Sequence, residues 1–153
     1  MKLLIARHGE ASFNAASDKA RPLTPNGKAI TARLVDTHFE ALRAVQRIWN
    51  SELVRARETA SIFAEKLHVA AEPKDFLTPD DKAEDVLAAL QSLPTDETLL
   101  IVSHQPLIGD LVSVLCTGSV YDSHPFITSE IVVLEYASPA RGFASLVADF
   151  LPG

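Results

Sequence analysis

The sequence has few of the features that mark secreted, membrane-bound or nucleic-acid-binding proteins. It has one cysteine, Cys116, so no internal disulfide forms, and the apolar run LVSVLC predicts a buried, unreactive thiol. No apolar run approaches the roughly 18 residues of a membrane span, and the N-terminal LLIA is too short for a signal-peptide core. The net charge of −6 gives no positive field to attract nucleic acid or an anionic membrane. We therefore expect a cytoplasmic protein that binds neither.

The common motifs of metal sites and serine hydrolases are also missing. There is no HxH, HExxH or CxxC spacing, so no metal site is expected, and no G-x-S-x-G turn carries a serine nucleophile. The content of 47% hydrophobic and 22% charged residues is ordinary for a soluble globular protein. The length of 153 residues predicts one domain that spans residues 1–153.

Strand patterns and helix patterns alternate along the chain. Six segments are predicted as strands, the last two of them paired: 2–6, 46–50, 69–72, 98–102, 131–136 and 144–150. Apolar residues at helical spacing occupy the stretches between the first five. This alternation is typical of an α/β protein with a largely parallel sheet.

Two helices are predicted from the pair Thr-Pro, a capping residue followed by a proline suited to the first helical turn. The pair occurs at Thr24-Pro25 and again at Thr78-Pro79. The apolar stripe of the first helix consists of Ile30, Leu34, Val35, Phe39 and Leu42. A very apolar helix is predicted to open at Pro106 and to run to about Cys116.

Polar residues follow three of the predicted strands where each strand ends. In parallel sheets the ligand site lies beyond the carboxyl ends of the strands. Arg7-His8-Gly9 follows the first strand, Ser51 follows the second, and Ser103-His104-Gln105 follows the fourth. The second strand leads into VRARE, with Arg55 and Arg57 in the first turns of a helix.

These residue types suit a phosphoryl group next to an imidazole. The guanidinium group presents a fork of donors that matches phosphate oxygens, and helix N-termini add backbone N–H groups. Helical periodicity alone does not choose between Arg55 and Arg57, because both flank the apolar stripe at similar angles.

Four motifs in this order carry a family resemblance. ARHGE follows the first strand, DKARPLTPNG lies in the next loop, S-x-x-x-R-A-x-x-T-A begins at Ser51, and SHQP follows a later strand. Together they resemble the phosphoglycerate mutase-like histidine phosphatase superfamily and, within it, the small bacterial phosphohistidine phosphatases of the SixA type. The resemblance covers essentially the whole chain. It departs at Ser51-Glu52, where the family pattern has Ser-Pro.

The resemblance implies a three-layer α/β/α fold with no cap domain, and it implies a role for five residues. His8 would be the nucleophile, Arg7 and Arg55 would clamp the phosphoryl oxygens, and His104 would stabilise the charge on the transferring group. Arg21 would be an additional arginine for the substrate phosphate. No metal or other cofactor is implied.

The implied function is a metal-independent phosphohistidine phosphatase that acts through a covalent phosphohistidine on His8. Its partner would be a histidine-phosphorylated phosphotransfer protein of a phosphorelay or similar pathway. Two alternatives stay open: a small-molecule phosphomonoesterase of the same superfamily, and a catalytically silent phosphate-binding module.

The nature of the leaving group distinguishes a small-molecule phosphomonoesterase from a phosphohistidine phosphatase. Larger relatives carry a carboxylate general acid for an alkoxide leaving group, and this sequence has no clear counterpart. The candidates by position are Glu10, Asp80, Asp81 and Glu84. An imidazole leaving group is protonated near neutral pH and needs less help, so a site without a strong acid favours phosphohistidine.

Overall fold

The computed structural model of the protein describes residues 1–94 and 96–153. The strands are β1 (Lys2–Arg7), β2 (Arg47–Ser51), β3 (Ala71–Lys74), β4 (Leu99–Ser103), β5 (Ile131–Glu135) and β6 (Ser145–Phe150). The helices are α1 (Pro25–Thr37), α2 (Phe39–Leu42), α3 (Val54–Leu67), α4 (Ala83–Gln91) and α5 (Leu107–Thr117). Within the described residues, no helix has the length and apolar character needed to cross a membrane.

The strands form one sheet in the order β3-β2-β4-β1-β5-β6. Neighbours from β3 to β1 are parallel, whereas β5 pairs antiparallel with both β1 and β6. One apolar cluster packs α4 and α5 on one face of the sheet, and a second packs α1, α2 and α3 on the other. The predicted three-layer α/β fold with a largely parallel sheet and a paired final hairpin is therefore confirmed.

The first strand is apolar throughout because it is covered on both faces. Leu3 and Ile5 belong to the cluster with α4 and α5, while Leu4 and Ala6 belong to the cluster with α1 and α3. The register pairs Arg7 with Ser103 of β4, so the residues after each of them, His8 and His104, leave the sheet side by side.

The helix predicted from Thr24-Pro25 begins as expected but ends early. The Thr24 hydroxyl accepts a hydrogen bond from the Gly27 N–H at 2.9 Å, as an N-cap should. The apolar stripe wrongly predicted one helix through Phe39 and Leu42. α1 ends at Thr37: the His38 N–H makes the capping bond to the Leu34 carbonyl, and His38 adopts a non-helical φ of −108° and ψ of 23° before α2.

Two further boundaries differ from the prediction. Thr78-Pro79 does not start a helix, because the Asp81 carboxylate accepts from both the N–H and the hydroxyl of Thr78 at 2.8 Å and closes a turn; α4 begins at Ala83. The third strand lies two residues later than predicted, because α3 ends at His68 in the left-handed conformation with φ 57°.

Cys116 is less buried than predicted. It lies in the last turn of α5 and is half-buried, whereas the five residues before it are fully buried. Burial still raises the pKa of its thiol, which keeps the thiol protonated and weakly reactive at neutral pH.

Candidate active site

A cavity of about 460 Å³ opens beyond the carboxyl ends of β1 and β4. All five residues predicted for the site line it: Arg7, His8, Arg21, Arg55 and His104. On α3, Arg55 is 5% exposed and points into this cavity, whereas Arg57 is exposed on the outer surface. The structure therefore identifies Arg55 as the cavity arginine, a choice that helical periodicity alone does not make.

His8 is held as a neutral imidazole with one free nitrogen. Its Nδ1 lies 2.7 Å from the Gly9 carbonyl oxygen, which only accepts, so Nδ1 carries the proton and Nε2 keeps its lone pair. Burial lowers the pKa of His8 to about 4; the charges of Arg7, Arg55 and Arg21 lower it further, against the opposing effect of the Gly9 hydrogen bond. At neutral pH the ring is ready to act as a nucleophile.

His104 lies beside His8, with the ring centroids 5.1 Å apart. Its Nε2 is 2.7 Å from the Ser51 hydroxyl, and its buried Nδ1 has no hydrogen-bond partner among the described residues. Burial, followed by the neighbouring His8 and Arg55, lowers the pKa of His104 to about 3. Both imidazoles are neutral at pH 7, and one ring nitrogen of His104 is left for a ligand.

Arg7 and Arg55 provide fixed positive charge with spare donors. Arg7 donates from Nη1 to the Phe126 carbonyl at 2.9 Å, and Arg55 donates from Nη1 to the Asp18 carbonyl at 2.8 Å. The Nε of each arginine is buried without a partner among the described residues. Burial and then Arg55 lower the pKa of Arg7, but a guanidinium stays charged at neutral pH. Two such cations suit a multiply charged oxyanion.

Arg21 occupies a different position from the other two cavity arginines. It belongs to the segment from Glu10 to Leu23, here called the rim loop, and its donors bond that loop itself. Nε reaches the Ser12 carbonyl at 2.9 Å, and Nη2 reaches the Ala11 carbonyl at 3.3 Å. Its Cζ also lies 4.0 Å from the centroid of the exposed Phe13 ring. In this structure Arg21 therefore stabilises the rim loop. Its predicted role in binding the substrate phosphate stays a prediction.

Three residues support the site although the sequence analysis assigned none of them a role in it. The Ser51 hydroxyl orients His104, and the Thr59 hydroxyl accepts from the Gly9 N–H at 3.0 Å while donating to the Arg55 carbonyl at 2.8 Å. Both belong to the S-x-x-x-R-A-x-x-T-A motif, so the motif was the sequence feature that could have identified them as site residues. Thr59 ties the loop after β1 to the helix that carries Arg55.

Asp18 is the third of these residues, and among the described residues it lines the cavity together with a second carboxylate, Glu10. Its Oδ2 pairs with Arg55 Nη2, and its Oδ1 with Arg21 Nη1, each at 3.3 Å. Burial acts to raise the pKa of Asp18, but Arg55 and Arg21 outweigh it and hold the pKa below its ordinary value. In the sequence, only its position at the start of the motif DKARPLTPNG indicated that Asp18 belongs to the site. An ionised Asp18 is a poor general acid.

The four carboxylates considered as general acids lie in different surroundings. Among the described residues only Glu10 of the four lines the cavity, and its Oε1 accepts from the Thr24 hydroxyl at 2.6 Å. Asp81 bonds Thr78, and Glu84 pairs with Arg141 at 3.3 Å on the surface. Asp80 is exposed.

One group of side chains in the described part of the chain has the composition of a metal site, and it lies outside the cavity. His124, Glu130 and Asp149 place their ligand atoms within 4.8 Å of one another. They are bonded to each other, with His124 Nε2 2.7 Å from Glu130 Oε2, and burial and Glu130 raise the pKa of Asp149 to about 6. Among the described residues, no hydrogen bond joins these three side chains to His8 or His104.

Comparisons with known proteins agree with this geometry. The model of the histidine phosphatase superfamily (branch 1) matches residues 3–79. The phosphohistidine phosphatase SixA of Escherichia coli is 34% identical over 137 residues, which cover 86% of this chain and 83% of that protein. A SixA homolog of Haemophilus influenzae is 35% identical over 126 residues, covering 75% and 77%.

A solved structure described as the protein histidine phosphatase SixA complexed with tungstate superposes with a TM-score of 0.89. It is 32% identical, and the match covers 99% of this chain and 97% of that one. The similarity thus extends over the whole sheet and the cavity at its edge.

Proposed function

Because the chain belongs to the histidine phosphatase superfamily and is of the SixA type, we propose that it is a phosphohistidine phosphatase that removes the phosphoryl group from a histidine-phosphorylated protein. The relatives named SixA support the substrate, and the tungstate complex of one of them supports a tetrahedral oxyanion as the ligand of this cavity. The mechanism uses residues of this chain alone, without a metal.

The observation that carries the proposal is the free Nε2 of His8 beside two buried arginines. In the first step this nitrogen attacks phosphorus, the P–N bond of the substrate breaks, and the substrate imidazole leaves with a proton from solvent. In the second step water attacks the phosphohistidine, gives up a proton, and releases phosphate while the His8 lone pair is restored. Atoms and charge balance over the two steps.

Three side chains stabilise the transferring group in this proposal. Arg7 and Arg55 offer unpartnered Nε donors to its oxygens. The Ser51 hydroxyl accepts from the Leu53 N–H at 3.3 Å and donates its own proton to His104 Nε2, so that His104 donates from Nδ1 to a phosphoryl oxygen. Fixed donors around the developing charge are the main source of catalysis in phosphoryl transfer.

The choice of substrate rests on the leaving group. Asp18 is ionised and bonded to arginines, and Glu10 is the other carboxylate that lines the cavity, so within the described part of the chain no strong general acid faces the phosphoryl position. An imidazole leaves readily once protonated near neutral pH, whereas the alkoxide of a serine or a sugar needs an acid. The site therefore favours phosphohistidine over phosphate esters.

Steady-state rates on three substrate classes test this proposal. We expect a histidine-phosphorylated helical phosphotransfer domain to react far faster than phosphoserine peptides or sugar phosphates, with aryl phosphates in between. The rate on aryl phosphates should rise steeply as the pKa of the leaving phenol falls. A flat dependence together with fast hydrolysis of sugar phosphates would replace the proposal with a phosphomonoesterase that uses Glu10 as its acid. Tight phosphate binding without any turnover would indicate a silent binding module.

We propose a phosphotransfer domain of a phosphorelay, in the cytoplasm, as the natural partner. Histidine-phosphorylated proteins from the source cells, incubated with the enzyme, should lose label from such a domain first. Preferential loss from another class of phosphoprotein would reassign the partner while leaving the chemistry in place. Activity that is unchanged by EDTA would support the metal-independent mechanism, and loss that a divalent metal restores would contradict it.

A further inference from the structure

Phe13 is an aromatic residue at the cavity mouth with no place in the chemistry. It lines the same cavity as His8 and His104, yet it is 86% exposed. An exposed aromatic ring beside a reaction site contributes little to stability, because it buries little apolar surface. Its position points to a role in contact with something outside the chain.

The Phe13 ring is held in one position by a neighbouring side chain. Arg21 stacks on it with a Cζ–centroid distance of 4.0 Å. Arg21 is itself fixed by the Ser12 and Ala11 carbonyls and by Asp18, and its side chain is only 18% exposed. Because the arginine lines the cavity wall, the ring has a defined position relative to the phosphoryl site. A ring that is already ordered loses little entropy when a partner packs on it.

The two other aromatic residues that are more than half exposed in the described part of the chain do not share these features. Tyr121 and Phe143 are 95% and 64% exposed. Neither lines the cavity, and within the described part of the chain neither is stacked by an arginine or lysine. Phe143 precedes Ala144, whose N–H bonds the Leu115 carbonyl near the C-terminal end of α5, at the opposite end of the sheet from the cavity. The arrangement at Phe13 is therefore specific to the mouth.

We propose that Phe13, held by Arg21, is a docking surface for the protein that carries the phosphohistidine. This inference rests on the proposed function and adds to it a residue that distinguishes a protein substrate from a small one. The ring would pack on an apolar side chain one helical turn from the phosphorylated residue, and the exposed Ile127, next to the cavity residue Thr128, extends the apolar contact.

The protein that carries the phosphohistidine is the occupant to expect at this ring, because its phosphoryl group has to enter the cavity that Phe13 lines. Residues one turn apart on a helix are separated by about 6 Å. If the phosphohistidine lies on a helix, an apolar side chain one turn away is therefore close enough to the cavity mouth to pack on Phe13.

Two substrates with the same P–N bond test the proposal. One is a histidine-phosphorylated helical phosphotransfer domain, and the other is free phosphohistidine. For Phe13→Ala we expect kcat/KM on the domain to fall on the order of tenfold, mostly through KM, and kcat/KM on free phosphohistidine to change by less than about twofold. Phe13→Leu should lie between Phe13→Ala and the unaltered protein.

Phe143→Ala is the matched control and should leave both substrates unaffected. Equal losses on both substrates for Phe13→Ala would overturn the docking role and assign the ring to support of the site. No loss on either would overturn it as well. Failure of the proposed function is visible separately, because the unaltered enzyme would then hydrolyse neither substrate at a useful rate.

Discussion

The strand-end cluster, made of His8, His104, Arg7 and Arg55, differs from the rim loop in how it is held. His104 is 1% exposed and His8 is 7% exposed, and the sheet register places them side by side across β1 and β4. The rim loop is largely exposed and is held by hydrogen bonds, both within the loop from Arg21 and to α3 through Asp18 and Arg55. Burial in the core thus positions the groups that carry the chemistry, and hydrogen bonds at the surface position the loop that surrounds them.

The largest effect expected is the loss of all turnover in His8→Ala. The variant keeps the arginines and the rim loop but has no nucleophilic nitrogen, so neither phosphohistidine proteins nor small substrates should react. Rapid alkaline quench of the unaltered enzyme should trap label on His8, because phosphohistidine survives base. Label trapped on another residue would break the assignment of the cluster.

The next largest effect separates the two arginines of α3. Arg55→Ala should lower kcat/KM about a hundredfold or more, as for removal of a preorganised oxyanion donor, and Arg7→Ala should do the same. Arg57→Ala is the matched control, since Arg57 lies on the exposed side of the same helix, and it should change kcat/KM by less than about twofold. The reverse ranking would mean that α3 is rotated.

A smaller effect is expected from the support of the cluster. Ser51→Ala removes the hydroxyl that orients His104, and we expect kcat to fall roughly tenfold while KM changes little, because the lost interaction acts on the transition state. Ser51→Thr keeps a hydroxyl and should recover part of the rate. A change in KM alone would show that Ser51 acts on binding rather than on His104.

The sequence predicted the strand-end cluster better than it predicted the rim loop, because the cluster lies at the ends of buried strands and the loop is exposed. Buried strands have recognisable apolar runs, and parallel strands bring their carboxyl ends together, so His8 and His104 were predictable neighbours. The family motif rather than the helical pattern chose Arg55 over Arg57.

Contacts between side chains and the nearby backbone were not predictable from apolar patterns. The turn that Asp81 closes delays α4, and the bonds of Arg21 to its own loop were equally invisible. Such contacts leave no periodic signal, because they depend on the shape of one short segment. They are concentrated in loops, which is where the predicted and the observed structure differ most.

The last expected effect concerns the free energy of unfolding rather than activity, and it again depends on the buried cluster. Burial lowers the pKa values of His8 and His104 to about 4 and about 3, against 6.5 for an unperturbed histidine. As the pH falls below 6.5, the unfolded chain binds protons at these two residues before the folded chain does. The free energy of unfolding therefore decreases toward acid, by roughly 3 kcal/mol for each histidine between pH 7 and pH 4.

Urea unfolding between pH 7 and pH 4 measures this loss. His8→Gln combined with His104→Gln should flatten the decrease, because glutamine binds no proton in either state. His68→Asn, at the exposed end of α3, is the control and should retain the full decrease. A double variant that loses stability toward acid as steeply as the unaltered protein would show that folding does not lower the pKa values of the two histidines. Protonation near pH 6.5 would then remove the nucleophilic form of His8, and the rate should fall with the same pKa.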